Sequence, residues 1–298
     1  MTQKPTVAVI GLGQMGSAMA LRLNESEFDV IGWDTDPAVR KQLASQGVPI
    51  GASLADALKG RLCILSSLPN GLLLKECWLG RGGLVELADQ GATLIDLSTI
   101  EPSVMRQAAA HAYERGLKVL DCPVSGGPVE ARAGKLVLIV GGEAGVIEQT
   151  LPLLNALGST IRHTGDVGTA KVVKIINNTM AMGNLAVACE AFALGEACGV
   201  DTAVLFDVLS ESGGRSMTFT KRFPPALKGD FEARFKLSLA EKDLGLGLEM
   251  AQDMGIPAPA ATLVRGIFSQ ALAEGYGGKD AVALLAISRD RIRKALRK

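Results

Sequence analysis

Lys174 and Asn178 lie four residues apart in a long apolar stretch that follows Gly165-Asp166-Val167-Gly168. On an α-helix that spacing stacks both side chains on one face. A lysine among Val172, Val173, Ile175, Ile176 and Met180 is costly to bury, and the cost falls where its ammonium meets a substrate in a cleft. A free lysine, with a pKa of about 10.4, is a poor base at neutral pH until desolvation or a nearby cation lowers that value. The apolar surroundings would supply the first effect, and Lys171 or Lys242 the second. Protonated, the same group donates to a carbonyl and polarises it. The pair therefore reads as machinery for moving a proton between an alcohol and a carbonyl, with Asn178 donating to the reacting oxygen or to a second hydroxyl.

Such chemistry needs a hydride carrier, and the N-terminus offers a place for one. Gly11-Leu12-Gly13-Gln14-Met15-Gly16 follows the apolar run Val7 to Ile10 and opens a helical segment, the context in which G-x-G-x-x-G reads as a dinucleotide fingerprint. The first glycine permits the turn, the second lets backbone approach a pyrophosphate, and the third packs helix on strand. Free N–H groups at the helix start then face the phosphates. Asp34, closing the second strand, is placed to bond the adenosine ribose, and its charge repels a 2′-phosphate. NAD is the expected cofactor, with NADP admissible because Arg40 lies close in sequence. Asp36 reads instead as the cap of the helix that begins at Pro37.

Other chemistries fit poorly. The two histidines, His111 and His163, each have an ordinary structural place, and no histidine and acid cluster has metal-ligand spacing. Ser125 has no histidine partner for nucleophilic catalysis. Thirty-one Lys and Arg balance 31 Asp and Glu, so no global field recruits nucleic acid or an anionic membrane. The basic tail Arg289 to Lys298 reads as a solvated helix end. Five scattered cysteines, Cys63, Cys77, Cys122, Cys189 and Cys198, without a C-x-x-C pair, fit reduced cytoplasmic thiols. The segment Ile175 to Val187 comes nearest to a membrane span, but Asn177, Asn178 and Asn184 mark it as a buried core helix.

The elements that position these residues are legible in the periodicity. Strands are expected over Val7–Ile10, Val30–Trp33, Leu62–Ser66, Ala92–Leu97, Lys118–Asp121, Leu136–Val140 and Thr160–His163. Helical stretches between them include Ser17–Asn24, Pro37–Gln46 and Pro102–Arg115, the last with Pro102 at its start and Gly116 past its end. This alternation predicts an α/β class: a Rossmann-type, doubly wound parallel sheet with helices on both faces. Beyond Gly168 the strand signal vanishes. The expected division is a dinucleotide-binding domain over 1–166 and an all-α substrate and oligomerisation domain over 167–298, joined by a helix from about Ala170 to Cys198. Such a helix is on the order of 40 Å long, too long for one small domain to cover, so part of it should meet another subunit.

Five motifs in this order resemble the β-hydroxyacid dehydrogenase family, of the 3-hydroxyisobutyrate dehydrogenase and tartronate semialdehyde reductase type, over nearly the whole chain. They are Gly11 to Gly16, Asp96-Leu97-Ser98-Thr99, Asp121-Cys122-Pro123-Val124-Ser125-Gly126-Gly127-Pro128, Gly165 through Asn178, and Lys242-Asp243-Leu244. The resemblance implies that Lys174 is catalytic and Asn178 orients substrate. It implies further that Ser125, Gly126 and Gly127 hold the substrate carboxylate, a role suited to converging backbone N–H groups. Leu68, Pro69 and Thr99 would line the nicotinamide half, with Lys242 reaching over it. A short 3-hydroxy acid would be the small-molecule substrate, and a homodimer or homotetramer through the helical domain the assembly. The chain departs from the family's usual residues at Ala170 (glycine), Lys171 (a neutral residue, often glutamine) and Cys122 (alanine).

Two competing functions remain open: an imine or ketone reductase on the same scaffold, which would carry a residue other than lysine at 174, and a non-catalytic dinucleotide sensor, which would have lost the Lys-Asn pair or the carboxylate loop. Among the acids, 3-hydroxyisobutyrate, glycerate, serine and longer sugar acids such as threonate all satisfy the motifs. Ser212 to Ser216, including Arg215, and residues near Phe235 are expected to shape that choice, with a salt bridge the equal alternative for Arg215.

Overall fold

The computed structural model describes residues 5–297. Its chain forms two compact units, the first ending at Lys174 and the second beginning at Ile175, within one continuous helix.

In the first unit, strands β1 (Thr6–Ile10), β2 (Asp29–Trp33), β3 (Cys63–Ser66), β4 (Thr93–Asp96), β5 (Lys118–Asp121), β6 (Val124–Ser125), β7 (Leu136–Gly141) and β8 (Gly158–Gly165) form one sheet. Helices α1 (Gln14–Asn24), α2 (Pro37–Ala44), α3 (Leu54–Leu58), α4 (Gly71–Leu79), α5 (Leu84–Leu87), α6 (Pro102–Glu114), α7 (Pro128–Arg132) and α8 (Ala144–Leu157) alternate with the strands. Side chains of a strand point alternately to opposite faces, and the core divides accordingly. Val7 and Val9 of β1 join a cluster with Met19, Leu23 and Leu154 of α1 and α8. Ala8 and Ile10 face the other way, into Trp78, Met105 and Ala109 of α4 and α6. Strands buried on both sides are what the near-continuous apolar runs require.

The sheet runs β2-β1-β3-β4-β5, all parallel, so the chain winds outward from β1 first to β2 and then back past β1 to β3. That reversal places a switch point at the C-terminal ends of β1 and β3, the crevice where open α/β sheets bind ligands. The doubly wound sheet read from the alternation is mixed at its far edge. There β7 pairs antiparallel with β5 at Asp121 and Gly141 and with the short β6, and β8 then runs parallel to β7. The stretch between β5 and β7 holds only β6 and the five-residue α7, with no long crossover helix of the kind a parallel return demands.

The second unit takes most of α9 (Thr169–Ala197) together with α10 (Thr202–Glu211), α11 (Met217–Leu227), α12 (Leu237–Asp253), α13 (Pro259–Ala271) and α14 (Leu284–Leu296). Its core joins Leu185, Cys189 and Phe192 of α9 to Phe219 and Phe223 of α11, Leu244 of α12 and Phe268 of α13. Phe192 meets Phe223 edge-on at 5.1 Å between centroids, a favourable aromatic geometry.

Reading the Ile175 to Val187 segment as a buried core helix holds for one face only. Met180 is 64% exposed, Val187 67% and Leu194 58%, a stripe at seven-residue spacing along α9. Among the described residues, α9 is long and apolar enough to cross a membrane, with 33% of its most apolar window buried.

Candidate active site

The glycine turn after β1 shows what each glycine is for. Gly11 has φ +84°, and its N–H donates to Trp33 O at 3.0 Å. A Cβ on Gly16 would lie 1.9 Å from Gly11 O, so helix and turn touch only because that position is bare. Gly13 differs: a Cβ there would meet no protein atom within 4 Å, and the residue caps α1 without a side-chain hydrogen bond. Its bareness leaves space for an approach from outside, at a helix start whose N–H groups lack a side-chain cap. Leu12 is buried, Met15 half-buried and Gln14 exposed.

Asp34, half-buried at the end of β2, faces the same turn. Its Oδ2 accepts the Leu12 N–H at 2.7 Å and its Oδ1 the Asp36 N–H at 2.9 Å. A carboxylate has about four lone-pair sites, so capacity remains for ribose hydroxyls. Arg40 donates to the Asp34 and Thr35 carbonyls, which brings a cation beside this carboxylate. Asp36 caps α2 through the Ala38 N–H at 2.8 Å, as its position before Pro37 foretold. These residues fit the adenosine and pyrophosphate parts of a dinucleotide.

At the ends of β3 and β4 a buried network appears that local sequence patterns did not reveal. Lys171, in the first turn of α9, is fully buried. Its ammonium donates to Asp96 Oδ2 at 2.7 Å, Asp96 O at 2.8 Å and Ser98 O at 2.9 Å. Asp96 Oδ1 accepts the hydroxyls of Ser66 and Ser98, Ser98 Oγ accepts the Leu68 N–H, and Ser66 Oγ accepts the Trp78 indole N–H. Lys171 is thus a cation compensated in the interior by Asp96. The departure at position 171 was the one visible hint. Leu68 and Thr99 are half-buried and Pro69 exposed, all on the loops that this network holds.

Asp121, at the end of β5, accepts the backbone N–H of Lys171 at 3.1 Å. Its Oδ1 is buried without a hydrogen-bond partner among the described residues. Burial pushes its carboxyl above the ordinary range, with the Lys171 charge pulling the other way. The neighbouring Cys122 is buried, and its thiol is pushed up to about 12 by that burial. It is therefore an unreactive packing group.

The carboxylate-loop residues follow directly. Ser125 lies in β6, and Gly126 is exposed at φ +129°. Gly127 opens α7, and its N–H donates to Glu130 Oε2 at 2.7 Å. That donor is already engaged, and Ser125 stands opposite Val137 in the β6 and β7 pairing, so the expectation of several converging open N–H groups narrows to Gly126, with the Ser125 side chain beside it.

Lys174 follows Lys171 by three residues on α9 and is half-buried, whereas Lys171 is the lysine that the fold encloses. In the second unit Asn178 is buried. Its Nδ2 donates to Asp243 Oδ2 at 2.6 Å and its Oδ1 accepts from Asn177 Nδ2 at 3.1 Å. A carboxylate only accepts, so the atom facing it must be the amide nitrogen. Asp243 was quoted only as part of a motif, and its role emerges from α12 packing on α9. Lys242 Nζ lies 3.0 Å from Asp243 Oδ1. Phe235 is anchored by its N–H to Asp280 Oδ2, with the Arg222 guanidinium 5.6 Å above its ring, and Arg215 is exposed. No group of three metal-ligating side chains occurs among the described residues.

Comparison with known proteins adds independent findings. A model described as the NAD binding domain of 6-phosphogluconate dehydrogenase matches residues 6–165, and one described as the NAD-binding region of NADP-dependent 3-hydroxyisobutyrate dehydrogenase matches residues 168–288. A 3-hydroxyisobutyrate dehydrogenase of Pseudomonas aeruginosa is 37% identical, over 91% of this chain and 94% of its own. A 3-sulfolactaldehyde reductase of Escherichia coli K12 is 35% identical, over 94% of both chains. The crystal structure of a 3-hydroxyisobutyrate dehydrogenase from Salmonella typhimurium superposes with a TM-score of 0.86 at 28% identity, over 95% of this chain and 99% of that one. Imine reductases superpose less well; that of Myxococcus stipitatus, at 22% identity and a TM-score of 0.64 over 94% of this chain and 98% of its own, shares the fold alone.

Proposed function

Given that the chain belongs to the β-hydroxyacid dehydrogenase family, we propose that it oxidises the hydroxyl of a short 3-hydroxy acid to the semialdehyde, or runs the reverse reduction, with NAD preferred over NADP. Residues 1–166 bind the cofactor, and residues 167–298 serve substrate binding and assembly. Bound NAD(P) supplies the hydride acceptor or donor. The cofactor reading is supported by Asp34 and the Gly13 opening, and Arg40 beside Asp34 is the feature that would let NADP in.

The observation that carries the chemistry is the fixed polarity of Asn178. One Nδ2 proton goes to Asp243 and one lone pair of Oδ1 to Asn177, so a second Nδ2 proton remains for this side chain to donate to a substrate oxygen. Lys174, one helical turn earlier, takes the hydroxyl proton as a neutral amine and returns it as an ammonium in the reductive direction. Ser125, Gly126 and Gly127 form the loop that holds the carboxylate, Leu68, Pro69 and Thr99 line the nicotinamide half, and Lys242 is a further cofactor residue. A lysine at 174 weighs against imine reduction, and an intact Lys-Asn pair against a sensor role.

The protein works in the cytoplasm on a small acid and neither nucleic acid nor membrane. The exposed Met180, Val187 and Leu194 stripe of α9 is the surface on which a second copy packs to form a homodimer or homotetramer. The test of the activity is NADH formation across a panel of short 3-hydroxy acids, sulfonated analogues included, with NAD and NADP compared. Turnover on one acid is the expected result. A panel without turnover by a protein that binds NAD would sink the reading.

A further inference from the structure

We infer that Lys171 is a positioning residue: its buried ammonium fixes the first turn of α9, and with it Lys174, to the two loops at the ends of β3 and β4 that meet the nicotinamide half of the dinucleotide. The inference rests on the cofactor reading above. Asp34 at the end of β2 marks the adenosine end and the glycine turn after β1 the pyrophosphate. The sheet order then puts the ring on the far side of β1 from β2, toward the ends of β3 and β4.

Those two ends are joined through Lys171. A lysine ammonium has three protons and no acceptor, and here all three are engaged, by Asp96 Oδ2, Asp96 O and Ser98 O. Asp96 in turn holds the hydroxyls of Ser66 and Ser98, and Ser98 Oγ holds the Leu68 N–H. Both loops are thus tied to one side chain of α9. The backbone of the same residue is tied separately, its N–H donating to Asp121 Oδ2. A helix start held at two independent points has little freedom to slide or roll, and Lys174 lies one turn further on the same face.

Packing alone does not explain a lysine here. Both members of the Lys171 and Asp96 pair are 0% exposed, and enclosing two charges costs more than filling the same space with an apolar side chain of similar volume. An ion pair kept under those terms fits a role in register, where directional bonds exclude alternative placements that a greasy contact would tolerate. A staple that serves stability and nothing else is the competing account, and the two differ in what they do to cofactor affinity.

The experiment compares the wild type with a Lys171→Gln and Asp96→Asn double variant, which removes both charges while keeping a hydrogen-bonding pair. ADP-ribose and NADH binding are titrated, thermal unfolding is recorded, and turnover is measured on the acid that the panel identifies. ADP-ribose affinity should stay within about twofold while NADH binds about tenfold more weakly and kcat falls by about a hundredfold, the scale of a small misplacement. If the double variant fails to fold, Lys171→Arg, which keeps the charge but displaces the hydrogen bonds, is read by the same ratio. An unchanged ratio of NADH to ADP-ribose affinity with unchanged kcat, even at a lowered melting temperature, reduces the pair to a stability staple and overturns the inference. A wild type that binds neither ligand overturns the cofactor reading and this inference together.

Discussion

Asn178 Nδ2 donates to Asp243 Oδ2 at 2.6 Å, joining α9 to α12 through two side chains that are only 6% and 2% exposed. The bond decides which end of the Asn178 amide a substrate would meet. Asp243 Oδ1 is buried without a hydrogen-bond partner among the described residues, with the Lys242 ammonium 3.0 Å away as its counterion.

Asp243→Ala should therefore lower kcat by about a hundredfold, since an angstrom of misplacement is worth that much. It should also cost about 1–3 kcal/mol of stability from the partners left unsatisfied. Steady-state kinetics and urea unfolding measure the two effects separately. Full turnover in the variant would remove Asp243 from the orientation of Asn178.

Lys174→Ala should bind NAD nearly as the wild type does while kcat falls by about a hundredfold or more, the contribution of a positioned acid or base. Lys174→Arg should be about as impaired, because a guanidinium does not release its proton. Calorimetry reports the first quantity and stopped-flow NADH absorbance the second. Unchanged turnover in either variant would refute the assignment.

Asp34→Ala removes a charge-assisted acceptor worth about 1.5–3 kcal/mol, so kcat/KM with NAD should fall by about ten- to a hundredfold and the preference over NADP should narrow. Arg40 stays beside the carbonyls of Asp34 and Thr35 and should hold the NADP value nearer to wild type. Parallel assays with both cofactors give the ratio. If it does not move, Asp34 does not touch the ribose.

Asp121 is raised above its ordinary 3.8 by burial, with Lys171 opposing. The folded state thus holds this proton more tightly than the unfolded state. The stability that this proton contributes is full below 3.8, falls as pH rises through the raised value, and is absent above it. Asp121→Asn removes the titration. Its stability relative to wild type should climb with pH across that acidic window and then level off. Urea unfolding at closely spaced pH values would show a flat difference if the shift were absent.

The exposed stripe of α9 gives a prediction about assembly. Met180→Glu with Val187→Glu puts two charges where apolar side chains are 64% and 67% exposed, and charges are depleted from interface cores. Sedimentation should report a smaller species than the wild type forms. A wild type that sediments as a monomer would end the proposal.

Much of this protein is readable from local patterns. The runs at Val7, Val30, Lys118 and Leu136 alternate with helical periods because strand and helix repeats follow from backbone geometry. Pro102 starts α6 and Asp36 caps α2, both local events. The glycine fingerprint, Asp34, and the placing of Lys174 and Asn178 on one long helix needed no tertiary information either. Three things did. The antiparallel edge at β6 and β7 depends on how β5 returns through a stretch without a crossover helix. The engagement of Gly127 by Glu130 depends on the turn into α7.

The third is the choice between two lysines. Sequence alone placed Lys171 and Lys174 in the same apolar stretch, where the chemistry drew attention to Lys174. The fold alone enclosed Lys171, with its counterion 75 residues away at Asp96, and set the polarity of Asn178 from Asp243, 65 residues away. Periodicity determines which face of a helix a residue occupies. What that face meets depends on packing between segments distant along the chain, and it is the meeting partner that decides whether a buried charge is compensated and which end of an amide is left for a substrate.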